Sequence, residues 1–174
     1  DLTHAILMDK ALQAKIIKEL MGYAILYGFN GYNIDFENIH VADKDRLTSF
    51  VKDIAVAAKA YGLTTSMDVT AYSDNSNWSL VYDRKALGGA VDYLALMAYD
   101  QFSRGSRTAG PVASYPWVEQ AVQHLTKDVD SRKIILGMPL YMRIWYEAYN
   151  DRRLSKLPAQ WKLAGRGKGG ERME

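Results

Sequence analysis

The residues best equipped for chemistry lie together in the run Asn30-Gly31-Tyr32-Asn33-Ile34-Asp35-Phe36-Glu37. On a β-strand, Asn33, Asp35 and Glu37 face one way, and Ile34 and Phe36 face the other. Same-face neighbours two apart are roughly 6 to 7 Å from each other at the Cα level, near enough for one carboxyl to feel the other's charge. Like charges at that range favour a shared proton, which raises one pKa toward that of a general acid. The competing reading is a strand end whose acids are only solvated. Strict alternation with two apolar residues, just after a glycine, favours an inward polar ladder instead.

The whole chain narrows the classes open to such a pair. Its 174 residues, 48% hydrophobic, suffice for one domain with a buried core. A formal net charge of +2 supplies no field for nucleic acid. With no Cys, disulfides and thiolate metal sites are excluded. No apolar run reaches the length of a membrane span. The first residues carry no basic-then-apolar signal pattern, and because the chain opens on Asp1 in mid-pattern, a secretion signal is expected outside it. His4, His40 and His124 are too far apart for a metal motif, and Asp35 with Glu37 lacks a third ligand at the usual spacing. Neither a metal nor a cofactor is implied.

The elements that must position the acids follow from periodicity. Residues 11 to 27 read as an amphipathic helix stopped by Gly28, and a strand from Tyr32 to Glu37 comes next. A helix from Lys44 to Tyr61, stopped by Gly62, precedes a β-branched strand from Leu63 to Val69. A polar loop from Thr70 to Leu80 and a short segment near Tyr82 to Gly88 lead into Val91 to Asp100. That stretch is nearly continuous in apolar residues, as for a parallel strand covered on both faces. A loop from Gln101 to Ser114, a helix near Pro116 to Leu125 and a strand from Ile134 to Met138 complete the pattern. Repeated βα units with polar and aromatic residues at the strand ends predict an α/β fold, the active-site face of a (β/α)8 TIM barrel. Four strands are legible where a closed barrel has eight, so a partial barrel is expected.

These residues resemble glycoside hydrolase family 18, in the branch of bacterial spore-cortex and cell-wall hydrolases. The family signature Asp-Gly-x-Asp-x-Asp-x-Glu on barrel strand four reads here as Asn30 to Glu37, with its last two acids kept and its first two replaced by amides. Met97-Ala98-Tyr99-Asp100 matches a Met-x-Tyr-Asp pattern on strand six. Gly137-Met138-Pro139-Leu140-Tyr141 matches Gly-x-Pro-x-Tyr on strand seven. What would be strands one to three and strand eight, with its sugar-flooring Trp, is not recognisable.

The resemblance implies that Glu37 is the proton donor and that Asp35 orients the substrate's own N-acetyl group for attack on the anomeric carbon. The products would retain configuration through an oxazolinium-like intermediate. It further implies that Tyr99 bonds the acetamido oxygen. Asn33, Asp68, Met97, Asp100, Tyr141, Arg143 and Trp145 would line the substrate site. Asp100 as a turn residue, Met97 as core and Tyr141 as packing remain open alternatives. Asn33 removes one charge beside Asp35 but keeps hydrogen bonding, and it fits the cell-wall branch.

Trp78 and Trp117 fall in or beside rim loops and are read first as scaffold, and Asp83 and Asp92 as structural. Arg104, Arg107 and Arg143 lie in segments expected to rim the site, where they would meet substrate carboxylates unless simply solvated. The expected organisation is a catalytic barrel portion over residues 1–146, about strands four to seven, and a polar tail over 147–174. The expected function is a glycosidase acting on N-acetylglucosamine-containing polysaccharide, in peptidoglycan or spore cortex, outside the cell. A chitinase and a catalytically silent sugar-binding protein are the alternatives. No oligomeric state is implied.

Overall fold

Capping side chains and left-handed glycines set the helix limits in the computed structural model, which describes residues 2–106, 108–145 and 171–173. Helix α1 (Leu2–Met8) is too short to show a sequence period and was not expected. Asp9 follows it and caps α2 (Lys10–Tyr27), its carboxylate accepting from the N–H of Ala11 at 2.9 Å and of Leu12 at 3.0 Å. Gly28 closes α2 at φ 67°, a conformation that a side chain disfavours.

Then come β1 (Gly31–Ile34), α3 (Lys44–Ala60), β2 (Thr64–Thr70), α4 (Arg84–Ala90), β3 (Tyr93–Met97), α5 (Tyr115–Leu125) and β4 (Ile134–Gly137). The helices and strands fall in the expected order, with β1 and β3 clearly shorter than expected and β4 shorter by one residue. β1 stops at Ile34, three residues before Glu37, and β3 occupies only the middle of the stretch from Val91 to Asp100.

β1 to β4 form one parallel sheet in chain order. This is the alternating architecture and strand order of a partial (β/α)8 barrel. In register, Met67 meets Leu94 and Val69 meets Leu96, all nearly solvent-free on the helix side of the sheet. α3 packs there with Leu47, Phe50, Val51, Ile54 and Ala58 buried. Each such large apolar side chain contributes about 1.5–3 kcal/mol relative to exposure. On the other side of the sheet, Asn33 is exposed, and Ser66 and Asp68 are half-buried. The period of two thus separates packing from chemistry.

By its contacts the chain divides into two compact units. The first holds the described residues up to Met97 together with Gln120–Gly137, and so contains the whole parallel sheet. The second holds Ala98–Glu119 and the described residues from Met138 onward. In it β5 (Met142–Ile144) pairs antiparallel with β6 (Glu171–Met173). The rest of the tail expected from residue 147 lies outside the described residues. No helix among the described residues is long and apolar enough to cross a membrane.

Candidate active site

Gly31 explains how the signature run reaches the sheet. A Cβ there would lie 2.1 Å from the carbonyl oxygen of Thr64 on β2, so only glycine allows the two backbones this approach. One turn of the pattern later, Asn33 lies opposite Ser66, whose hydroxyl donates to the Asn33 side-chain oxygen at 2.6 Å. The Asn33 side chain also favours the charged form of Asp68. The amide at this position thus joins β1 to β2 across the polar side of the sheet, a role that an Asp would fill only with an added negative charge.

Asp35 and Glu37 lie past the end of the ladder, not within it as expected. β1 pairing ends at Ile34 opposite Met67, and Asn38 turns the chain at φ 54°. The alternation nevertheless continues: Asp35 and Glu37 are exposed while Phe36 is half-buried. Asp68 belongs to the same electrostatic group. Burial pushes its carboxyl above the usual range and the charge of Asp35 adds to this, while the Asn33 side chain opposes it. These three acids and Asn33 are what the first unit brings together.

The second unit holds a cluster of its own. Asp100 takes a left-handed conformation, φ 59°, and its Oδ1 accepts from both the Tyr141 hydroxyl and Arg143 Nη2 at 2.5 Å. The Arg143 guanidinium lies 5.8 Å from the Tyr141 ring centroid, and the rings of Tyr99 and Tyr141 meet edge-on at 6.5 Å. The Arg143 side chain is only 4% exposed, so it is enclosed behind Asp100 and not set on an open rim. Trp145 donates its indole N–H to the Gly110 carbonyl at 2.7 Å, which ties it to the loop after β3. Met97 is nearly buried at the end of β3.

Asp83 caps α4, and Asp92 accepts from the Thr65 N–H at 2.7 Å, both structural. Trp78 is 37% exposed, and Trp117 is half-buried. Arg104 is exposed, and Arg107 lies outside the described residues. Among the described residues no cluster of His, Asp and Glu is suited to a metal.

Two features escaped the sequence reading. Tyr82 is buried and donates its hydroxyl to the Phe36 carbonyl at 2.6 Å, between the two acids. Burial, then the charges of Glu37 and Asp35, hold its phenol well above the usual range. Asp43, 1% exposed, binds His4 at 2.7 Å and Arg46 at 2.9 Å. Arg46 lies at the i,i+3 spacing that a sequence can show. Tyr82 and Phe36 are 46 positions apart, with no local signal.

A parallel βα sheet with carboxylates just past one strand and a Tyr–Asp–Tyr cluster following two others defines a barrel protein of carbohydrate-hydrolase type. The chain belongs to the glycosyl hydrolases family 18, whose pattern matches residues 4–165. It is 32% identical over 150 residues to YdhD of Bacillus subtilis (strain 168), proposed to be a sporulation-specific glycosylase, covering 86% of this chain and 36% of that protein. The crystal structure of YdhD matches with a TM-score of 0.77 over 81% of this chain and 47% of its own. A chitinase from Chromobacterium violaceum ATCC 12472 matches at 31% identity and a TM-score of 0.75, over 80% of this chain and 44% of its own. The spore cortex-lytic enzyme SleL of Bacillus cereus matches at 26% identity and a TM-score of 0.75, over 84% and 35%. The chain thus spans less than half the length of each of these relatives.

Proposed function

We propose that this chain carries the acid pair of a retaining glycosidase that cleaves β-1,4 bonds at N-acetylglucosamine, with peptidoglycan or spore cortex as substrate. The observation that carries the reading is the placement of Asp35 and Glu37. Both are exposed just beyond a parallel strand, on either side of a Phe36 held from behind. Glu37 gives its proton to the glycosidic oxygen as the bond to the anomeric carbon breaks. The acetamido oxygen of the sugar bonds to that carbon, with Asp35 bearing on the acetamido group and on the positive charge that develops. Water then attacks the anomeric carbon, the ring of the intermediate opens, and Glu37 takes the water's proton.

Tyr99 is assigned to the acetamido oxygen, and Asn33, Asp68, Met97, Asp100, Tyr141 and Trp145 to the sugar. The enclosure of Arg143 supports a role exerted through Asp100. Similarity to cortex-lytic and sporulation proteins favours a bacterial wall as substrate, acted on outside the cell. Similarity to the Chromobacterium chitinase supports chitin as the second reading.

Glu37→Gln keeps the shape and hydrogen bonding of the acid but cannot donate the proton. It is expected to lower turnover of N-acetylglucosamine oligomers by roughly 10² to 10⁴ while sparing binding. Equal turnover of wild type and variant removes the assignment. Parallel digestion of cortex fragments and chitin oligomers of matched length, read by mass, separates the two substrates. Efficient chitin cleavage with intact peptidoglycan selects the chitinase reading.

A further inference from the structure

Past Ile34 the sheet no longer holds the acid pair, yet the pair's geometry must be held within a fraction of an ångström to be useful. Two contacts with the core converge on Phe36, the residue between the acids. The Phe36 ring lies 6.2 Å from that of Phe50, a fully buried residue of α3. The Phe36 carbonyl accepts from the Tyr82 hydroxyl. Tyr82 is only 2% exposed, so its ring cannot swing away without opening the core.

Tyr82 is fixed in turn by Arg84, itself 7% exposed. Arg84 Nη1 donates to the carbonyls of Ser79 at 3.1 Å and Tyr82 at 3.4 Å. Nη2 donates to the Thr70 carbonyl at 2.8 Å and to the Ser79 hydroxyl at 3.0 Å. The guanidinium also lies over the rings of Tyr72 and Tyr82, at 5.8 and 5.7 Å from their centroids. Among the described residues no carboxylate forms an ion pair with it, so its donors are spent on one loop. A planar fork suits that task where a lysine would not.

We infer that Tyr82, clamped by Arg84, is a positioning residue: through the Phe36 carbonyl it sets the spacing and aim of Asp35 and Glu37. The inference rests on the reading of those acids as the reacting pair. The tyrosine hydroxyl replaces the ladder bond that the strand would have supplied had it continued. It holds the backbone of the acid pair from the core side and leaves the carboxylates open to substrate. The fields of Glu37 and Asp35 at the Tyr82 phenol accord with this closeness.

Tyr82→Phe removes the hydroxyl and keeps the ring, with the exposed Tyr61→Phe as control. Two readouts are needed. Backbone NMR order parameters over residues 35–38 are expected to fall from rigid values toward ~0.6, with α3, β2 and β3 unchanged. On an N-acetylglucosamine oligomer, kcat per active site is expected to fall about 10- to 100-fold, with KM within about threefold. The limb of the kcat profile set by the Glu37 proton is expected to move.

Loss of thermal stability with order over 35–38, kcat and that limb all unchanged makes Tyr82 merely structural and overturns the inference. Arg84→Lys, which keeps the charge but not the fork, is expected to show the same pattern more weakly. If wild type does not turn over, the glycosidase reading fails, and unchanged order parameters then overturn the clamp independently.

Discussion

Asp35 makes the sharpest demand on substrate, because in the proposed mechanism the enzyme supplies no nucleophile. An oligomer with a free amine in place of the N-acetyl group at the cleaved position is therefore expected to resist hydrolysis, and a thiazoline analogue to inhibit. Cleavage of the deacetylated oligomer at a similar rate would leave the enzyme class and remove the mechanism. Two other acids should give opposite pH signatures. The His4 bond, followed by Arg46, holds the buried Asp43 below its ordinary 3.8 against the opposing effect of burial. Between the folded and unfolded values the unfolded chain binds more protons, so stability rises with pH. The Asp43 contribution is complete above its unfolded value and lost as pH falls through the lower folded one. Asp68 is raised, chiefly by burial, so the folded chain binds more protons and stability falls as pH rises from its ordinary 3.8 through the higher folded value. Denaturation midpoints across acid pH should show a smaller acid loss in Asp43→Asn, at a cost of about 1–3 kcal/mol at neutral pH. Asp68→Asn should instead gain stability relative to wild type as pH rises.

At the level of elements, two glycines do different work and separate in experiment. Gly28 ends α2 with a positive φ and open space around it. Gly28→Ala is expected to cost about 1–2 kcal/mol by urea denaturation, from backbone strain alone. Gly31 has no positive φ, but a Cβ would overlap the Thr64 carbonyl, a backbone atom that cannot rotate away. Gly31→Ala is expected to be the more damaging, forcing β1 off β2 and disturbing the Ser66–Asn33 bond. Equal costs for the two would refute the close-approach argument. The order of helices and strands was legible because caps, stops and periods act over a few residues. The length of β1 was not, because a strand ends where its partner stops offering hydrogen bonds, and the register Ile34 to Met67 is a tertiary fact.

Across the molecule, apolar side chains remain uncovered on the helix layer, among them Ile25 at 67%, Leu26 at 70% and Val56 at 72% exposed. Exposed apolar surface of this kind favours association. Sedimentation of the isolated chain is expected to show concentration-dependent self-association, weakened by Ile25→Lys. A monomer at all concentrations would count against this.

What the sequence by itself determined was the α/β order, the partial barrel and the family, all written in short motifs and local periods, and it singled out Asp35 and Glu37 as the candidate acid pair. Only the tertiary structure decided that the acids lie beyond the sheet, that Asn33 joins Ser66, and that Arg143 is enclosed behind Asp100. It alone placed Tyr82 behind Phe36. Each of these depends on residues tens of positions apart meeting at one point, and such a meeting is set by how strands and helices pack and leaves no mark in the run of residues on either side.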